Sequence, residues 1–175
     1  MRAIFLDRDG TLNLEPTDEI VASADQVILH TNVIEGLQIL AGLDYKIFIL
    51  TNQIGIAQKR ITEEQFQAVN QKVLELIAPS GVQIIKTYFC PHQPADNCDC
   101  RKPKTGMIKQ LLAENLDIDV SNSWVIGDRL SDVGLAQAIG SRMILVNMAG
   151  KYIEDTAEFV AHDLLDAAQI IQNEG

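Results

Sequence analysis

The stretch Ile4–Thr11, IFLDRDGT, restricts this chain more than any other. Ala3–Leu6 is a short apolar run, long enough for a buried strand. It ends in two carboxylates, Asp7 and Asp9, with Gly10 and Thr11 directly after. A strand that runs out of hydrophobics into Asp-x-Asp delivers both acids at its carboxyl end, where open parallel sheets place their ligand crevice. Acids at i and i+2 can converge on one small object, and the obvious objects are a hard divalent cation and a phosphoryl group. Taken alone, an Asp-x-Asp pair also fits a solvated turn after an edge strand.

The pattern that follows alternates helix and strand. Asn13–Gln26 reads as a polar loop over the crevice. Asn32–Leu43 carries Val33, Leu37, Ile39 and Leu40 at helical spacing, with Asn32 as its expected cap. Tyr45–Leu50 is a second apolar strand, ending in Thr51-Asn52-Gln53. Thr62 opens a long helix and, with Gln65, fits a capping box; Phe66, Val69, Val73, Leu74 and Ile77 give it an apolar face until Pro79. Val82–Phe89 is a third strand, Gly106–Asn115 a helix, and Ser123–Ile126 a fourth strand that ends Gly127-Asp128-Arg129-Leu130-Ser131-Asp132. A helix Val133–Ile139, a fifth strand Arg142–Val146 and an amphipathic helix from about Asp163 to Ile171 complete the series. Such alternation implies a Rossmann-like α/β fold, a parallel sheet with right-handed crossovers and helices on both faces. The 175 residues are expected to form a single domain, residues 1–175, with no insertion large enough for a separate cap domain.

Between the third strand and its helix lies Cys90-Pro-His-Gln-Pro-Ala-Asp-Asn-Cys-Asp-Cys100-Arg-Lys-Pro-Lys104. All three cysteines of the chain fall here, with His92, at the spacing C-x-H-x5-C-x-C. Three thiols and an imidazole make a closed tetrahedral set for zinc, since no open position is left for substrate. Cys90, His92, Cys98 and Cys100 are therefore expected to pin a loop that has little regular structure of its own. Arg101 and Lys102 follow directly, and two cations fixed beside a pinned loop point to an anion.

The formal net charge is −10, which leaves no basic excess for non-specific nucleic-acid binding. An anionic substrate must then be met locally, by Arg101, Lys102, Lys104 and a metal. No apolar stretch reaches the roughly 20 residues of a membrane helix, and the first apolar run is too short for a signal peptide. These features set the expectation of a cytoplasmic protein that binds neither membrane nor nucleic acid. The sequence carries no signal for an oligomeric state.

Asp7-x-Asp9-Gly-Thr, the Thr51 at the end of the second strand, Lys102 and Gly127-Asp128-x-x-x-Asp132 resemble, in order, the four motifs of the haloacid-dehalogenase superfamily. With the Cys/His loop they resemble its compact zinc-loop phosphatases, whose members act on heptose bisphosphate or histidinol phosphate. The resemblance implies a Mg²⁺-dependent phosphomonoesterase acting on a small phosphate ester through an aspartyl phosphate. Asp7 would be the nucleophile and Asp9 the proton donor and acceptor. Mg²⁺ would sit on Asp7, Asp128 and the backbone carbonyl of Asp9, with Asp132 in support. Thr51 and Lys102 would hold phosphate oxygens, and Asn52 and Arg101 would contact substrate. The motifs around Thr51 and Arg101 favour a sugar bisphosphate of the heptose type; histidinol phosphate is the alternative, suggested by Glu15-Pro16 and Gly127-Asp-Arg129. A phosphotransferase with the same nucleophile, or a zinc-dependent binding module, would be readings from other classes.

Overall fold

The computed structural model describes residues 1–114, 117–147, 150 and 157–174. Its centre is a sheet of strands β1 (Ala3–Leu6), β2 (Lys46–Asn52), β3 (Ile84–Cys90), β4 (Trp124–Gly127), β5 (Arg142–Val146) and β6 (Phe159–Ala161). The order is β3-β2-β1-β4-β5-β6, and every pairing is parallel. All of β1 is buried, and its side chains alternate between two cores. Ile4 and Leu6 join a cluster with Leu37, Val69, Val73, Ala167 and Ile171; Ala3 and Phe5 join another with Met107, Leu111, Val133 and Leu135. Two-sided burial is what lets β1 be uniformly apolar, and a fully buried Ile, Leu or Phe contributes roughly 1.5–3 kcal/mol.

The first cluster collects helices α1 (Val33–Ala41), α3 (Glu63–Ile77) and α6 (Leu164–Glu174), the second α4 (Gly106–Glu114) and α5 (Leu130–Ile139). The short α2 (Ile54–Ala57) leads from β2 towards α3. The chain builds outward from β1 through β2 to β3, then returns to β4 on the other side of β1. That reversal is the topological switch point at which an α/β sheet opens its crevice. The register puts the switch-point ends level: Leu6 pairs with Ile49 and with Ile126, and Asp7 N–H donates to Ile126 O at 2.8 Å. Strand β2 pairs Asn52 with Cys90, which sets the Cys/His loop beside the same crevice.

Several local expectations need correction. Asn32 does precede α1, but it sits at φ 62° and makes no capping bond. Its amide instead donates to Asp163 Oδ2 at 2.7 Å, tying α1 to the start of α6. Strand β6 was not expected, because only three residues pair, along β5. Helix α5 begins at Leu130 rather than Val133, and α6 runs on to Glu174. The expected end of α4 at Asn115 lies outside the described residues. The Thr62 capping box is present as expected: Thr62 Oγ1 accepts from Gln65 N–H at 3.2 Å and Gln65 Oε1 from Thr62 N–H at 2.8 Å. Among the described residues no helix is long and apolar enough to cross a membrane.

Candidate active site

The crevice at the switch point is a cavity of about 400 Å³. Asp7, Asp9, Thr51, Asn52, Arg101, Lys102 and Asp128 all line it, so the structure brings the expected site residues from four separate stretches into one place. Glu15, Glu19 and Arg129 line it too.

Lys102 organises the floor. It is 4% exposed, and its ammonium donates to Asp7 Oδ1 at 2.6 Å and to Leu50 O at 2.7 Å. Asp132 Oδ1 lies 2.6 Å from the same nitrogen, as an ion pair off the line of a hydrogen bond. Burial alone would lower the Lys102 pKa, but the two carboxylates overcome it and raise it. Asp132 Oδ2 accepts from Arg129 N–H at 3.2 Å, so both oxygens of Asp132 face protein partners. One amide places this lysine: Asn52 Oδ1 accepts from Lys102 N–H at 3.0 Å and Asn52 Nδ2 donates to Lys102 O at 3.2 Å. Asn52, expected to meet substrate, spends both ends of its amide on the Lys102 backbone.

Asp7, Asp128 and Asp132 present carboxylate oxygens within 4.8 Å of one another. Asp128 is pushed up to about 8, by burial first and then by the charges of Asp7 and Asp132. Asp132 is pushed up to about 6, again chiefly by burial, with Lys102 pulling the other way. One lysine for three acids leaves negative charge that a hard divalent cation would neutralise, and the all-oxygen donor set fits Mg²⁺. Two glycines make room for the acids. Gly10 stands at φ +87° where a Cβ would meet the Asp128 carboxylate, and a Cβ on Gly127 would meet Asp132. Thr11 Oγ1 donates to Asp128 Oδ1 at 3.3 Å.

Asp9 points into a different environment. Its Oδ1 accepts from Arg8 Nε at 3.1 Å and Asn13 Nδ2 at 2.9 Å; its Oδ2 accepts from Arg8 Nη2 at 2.8 Å and Gln53 Nε2 at 2.7 Å. Burial favours the neutral acid, but the Arg8 charge and these donors outweigh it and hold Asp9 below its usual pKa. The side chain is thus fully engaged, leaving the backbone carbonyl as the donor Asp9 can offer a cation. Gln53 also donates to Thr51 Oγ1 at 2.7 Å. Arg8, 1% exposed over the Phe66 ring, and Gln53 were not singled out in the sequence. Arg129, named in the sequence only within the Gly127-Asp-Arg129 motif, has a guanidinium that pairs with Glu15 and, at 3.3 Å, with Glu19.

The Cys/His loop forms a second centre. Cys90, Cys98 and Cys100 Sγ atoms lie 3.1–3.6 Å apart, and His92 Nδ1 is 3.2 Å from Cys100 Sγ and 3.7 Å from Cys90 Sγ. Metal–sulfur bonds of ~2.3 Å in a tetrahedron would set S···S edges of roughly 3.7 Å, so the four donors are close to that arrangement. Burial pushes the Cys90 thiol up, and Cys98 lies at about 7 despite the opposing effect of burial, because backbone and thiol hydrogen bonds favour its anion. Arg101 Nη1 donates to His92 O at 3.2 Å. Lys104 does not reach the crevice: its ammonium is held by Asn97 Oδ1 at 2.7 Å and Cys98 O at 2.8 Å.

The family model for polynucleotide kinase 3 phosphatase matches residues 2–158. The chain is 34% identical over 170 residues to the D-glycero-beta-D-manno-heptose-1,7-bisphosphate 7-phosphatase of Neisseria meningitidis, covering 97% of this chain and 89% of that protein. It is 36% identical over 169 residues to the histidine biosynthesis bifunctional protein HisB of Blochmanniella floridana, where 92% of this chain matches but it spans only 47% of that protein. Among solved structures, the D,D-heptose 1,7-bisphosphate phosphatase of B. bronchiseptica, complexed with magnesium and phosphate, superposes with a TM-score of 0.87 at 28% identity over the whole of both chains. Sheet order, the acids at the switch point and these likenesses agree: the chain belongs to the haloacid-dehalogenase superfamily, among its phosphatases.

Proposed function

We propose that the protein is a Mg²⁺-dependent phosphatase that removes the 7-phosphate of D-glycero-beta-D-manno-heptose 1,7-bisphosphate. The observation that carries the phosphatase chemistry in this reading is Lys102 Nζ at 2.6 Å from Asp7 Oδ1, at the end of β1 and beside Asp128. That contact holds one oxygen of Asp7 and leaves Oδ2 for phosphorus. In this reading Asp7 attacks in line, the bond to the sugar oxygen breaks, and an aspartyl phosphate forms. As the phosphate dianion approaches, Asp9 takes a proton from solvent in place of one of its neutral side-chain donors, Asn13 or Gln53, gives that proton to the leaving alkoxide, and then takes one from the water that hydrolyses the acyl phosphate. The donors around Asp9 hold it ionised at rest, and the approach of a phosphate dianion raises its hold on a proton. The Thr51 hydroxyl and Lys102 meet the oxygens on which charge grows. Mg²⁺ on Asp7, Asp128 and the Asp9 carbonyl would neutralise the repulsion between carboxylate and phosphate.

Zinc on Cys90, His92, Cys98 and Cys100 would be structural, fixing the loop that delivers Arg101 and Lys102. The sugar bisphosphate is supported by relatives of that name matched over most of their length and by Arg101, which meets no carboxylate among the described residues. One observation favours histidinol phosphate as a second reading: Glu15 and Glu19 line the same cavity and suit a cationic end group. Phosphate release from the two esters with added Mg²⁺ tests the choice. A kcat/KM at least about tenfold higher on the bisphosphate is expected, and a hundredfold preference for histidinol phosphate, about 2.7 kcal/mol, would overturn it.

A further inference from the structure

One wall of the cavity, beside Asp128, carries an unusual charge arrangement. Arg129, at the start of α5, pairs through Nη2 with Glu15 and through Nη1 with Glu19, both on the loop after β1. The Glu15 side chain is only 18% exposed, while Glu19 is 57% exposed. Arg101 enters from the Cys/His loop without a carboxylate partner among the described residues. A distal phosphate arriving here finds Arg101 uncompensated, but finds Arg129 already answered by two carboxylates. A distal ammonium meets the converse: two carboxylates, both shared with an arginine. Glu15 stands where these demands conflict, being the less exposed of the two carboxylates on that guanidinium.

The loop does not depend on this contact alone. Asp18 pairs with Arg60, and Ile20 packs with Ile61 and Phe66, so the loop is anchored to the α3 side independently. Loss of the Glu15 charge therefore leaves Arg129 with only the exposed Glu19, at 3.3 Å, without releasing the loop.

We propose that Glu15 is a specificity-determining residue: its carboxylate is the internal counter-ion of Arg129 and competes for that guanidinium with the distal phosphate of a bisphosphate ester. The inference rests on the sugar-bisphosphate reading above. The site, on this view, admits a second phosphate by exchange of one anion for another, and Glu15 tempers the preference for it.

The test is steady-state kinetics on the sugar 1,7-bisphosphate and the 7-monophosphate of the same sugar, with saturating Mg²⁺ and the zinc-loaded protein. Glu15→Gln should raise the ratio of kcat/KM, bisphosphate over monophosphate, about tenfold, with the change in KM rather than kcat. In an Arg129→Met background the same substitution should leave the ratio unmoved, since the guanidinium competed for is gone. A ratio unchanged or lowered by Glu15→Gln, or raised equally in both backgrounds, would overturn the proposal. Glu19→Gln, at an exposed position, should act in the same direction more weakly; should Glu15→Gln fail to fold, Glu15→Ala removes the same charge and should raise the ratio likewise, an unchanged ratio again overturning the proposal. Failure of the underlying reading is seen separately, in wild-type protein that prefers histidinol phosphate to the bisphosphate.

Discussion

Lys102 and Asp7 form a buried ion pair whose halves differ in what they leave behind. Removing the Lys102 charge strands Asp7 and Asp132 beside Asp128, so Lys102→Met is expected to abolish turnover and to destabilise the fold by roughly 3–5 kcal/mol, read by urea unfolding. Asp7→Asn is expected to abolish turnover by a factor of at least about a thousand while keeping the fold, because Lys102 retains Asp132 and one like charge near Asp128 disappears. Equal destabilisation by the two substitutions would contradict this account of the cluster. At this scale the sequence was informative wherever a residue ended a strand: Asp7, Thr51, Asn52 and Asp128 could be placed from apolar runs alone. Arg8 could not, because the residue between two acids carries no signal of its own, and only the fold shows it locked onto Asp9. The pairing of Arg129 with Glu15 and Glu19 was hidden for another reason: the partners lie more than a hundred positions away, and no periodicity links them.

Elements differ in how locally they are specified. Helix α3 is written into its own sequence through the Thr62 box and an apolar stripe, and Thr62→Ala should cost about 1 kcal/mol in thermal or chemical unfolding. The Cys/His loop is specified by ligand spacing rather than by propensity. About one zinc per chain is expected by elemental analysis, and Cys100→Ser should lower that content, increase proteolytic cleavage between residues 91 and 105 and reduce turnover, since Arg101 and Lys102 follow Cys100 directly. Zinc-free protein with an intact loop and full activity would refute a structural role. Strand β6 escaped the sequence because three paired residues are too few for a period, and the start of α5 because Ser131 and Asp132 suit a helix cap as well as a first turn. Asn32 misled for a related reason: a residue that suits a helix cap can equally bridge to a distant carboxylate.

For the whole molecule, alternating strands and helices implied a parallel sheet with two covered faces, and the observed order β3-β2-β1-β4-β5-β6 adds where it opens. Strand order comes from packing between distant segments, which no local pattern encodes. The acids collected at that opening link stability to pH. Asp128 rests at about 8 and Asp132 at about 6 in the fold, above the 3.8 of a free Asp, so the folded state binds more protons than the unfolded chain between about pH 4 and pH 8. Their contribution to stability is lost as pH rises through that window. Mg²⁺ competes with those protons, so its stabilising increment in melting temperature should be larger at about pH 8 than at about pH 5.5. An increment independent of pH would mean that the cation does not use these carboxylates. The central claim is that Asp7 carries the phosphoryl group. The direct measurement is acid quench during turnover of the sugar bisphosphate, borohydride reduction of any acyl phosphate, and peptide mass spectrometry. Homoserine at position 7, absent without substrate and absent in Asp7→Asn, is the expected result; phosphate release with Asp7 unmodified, or with the label at another carboxylate, would contradict the account.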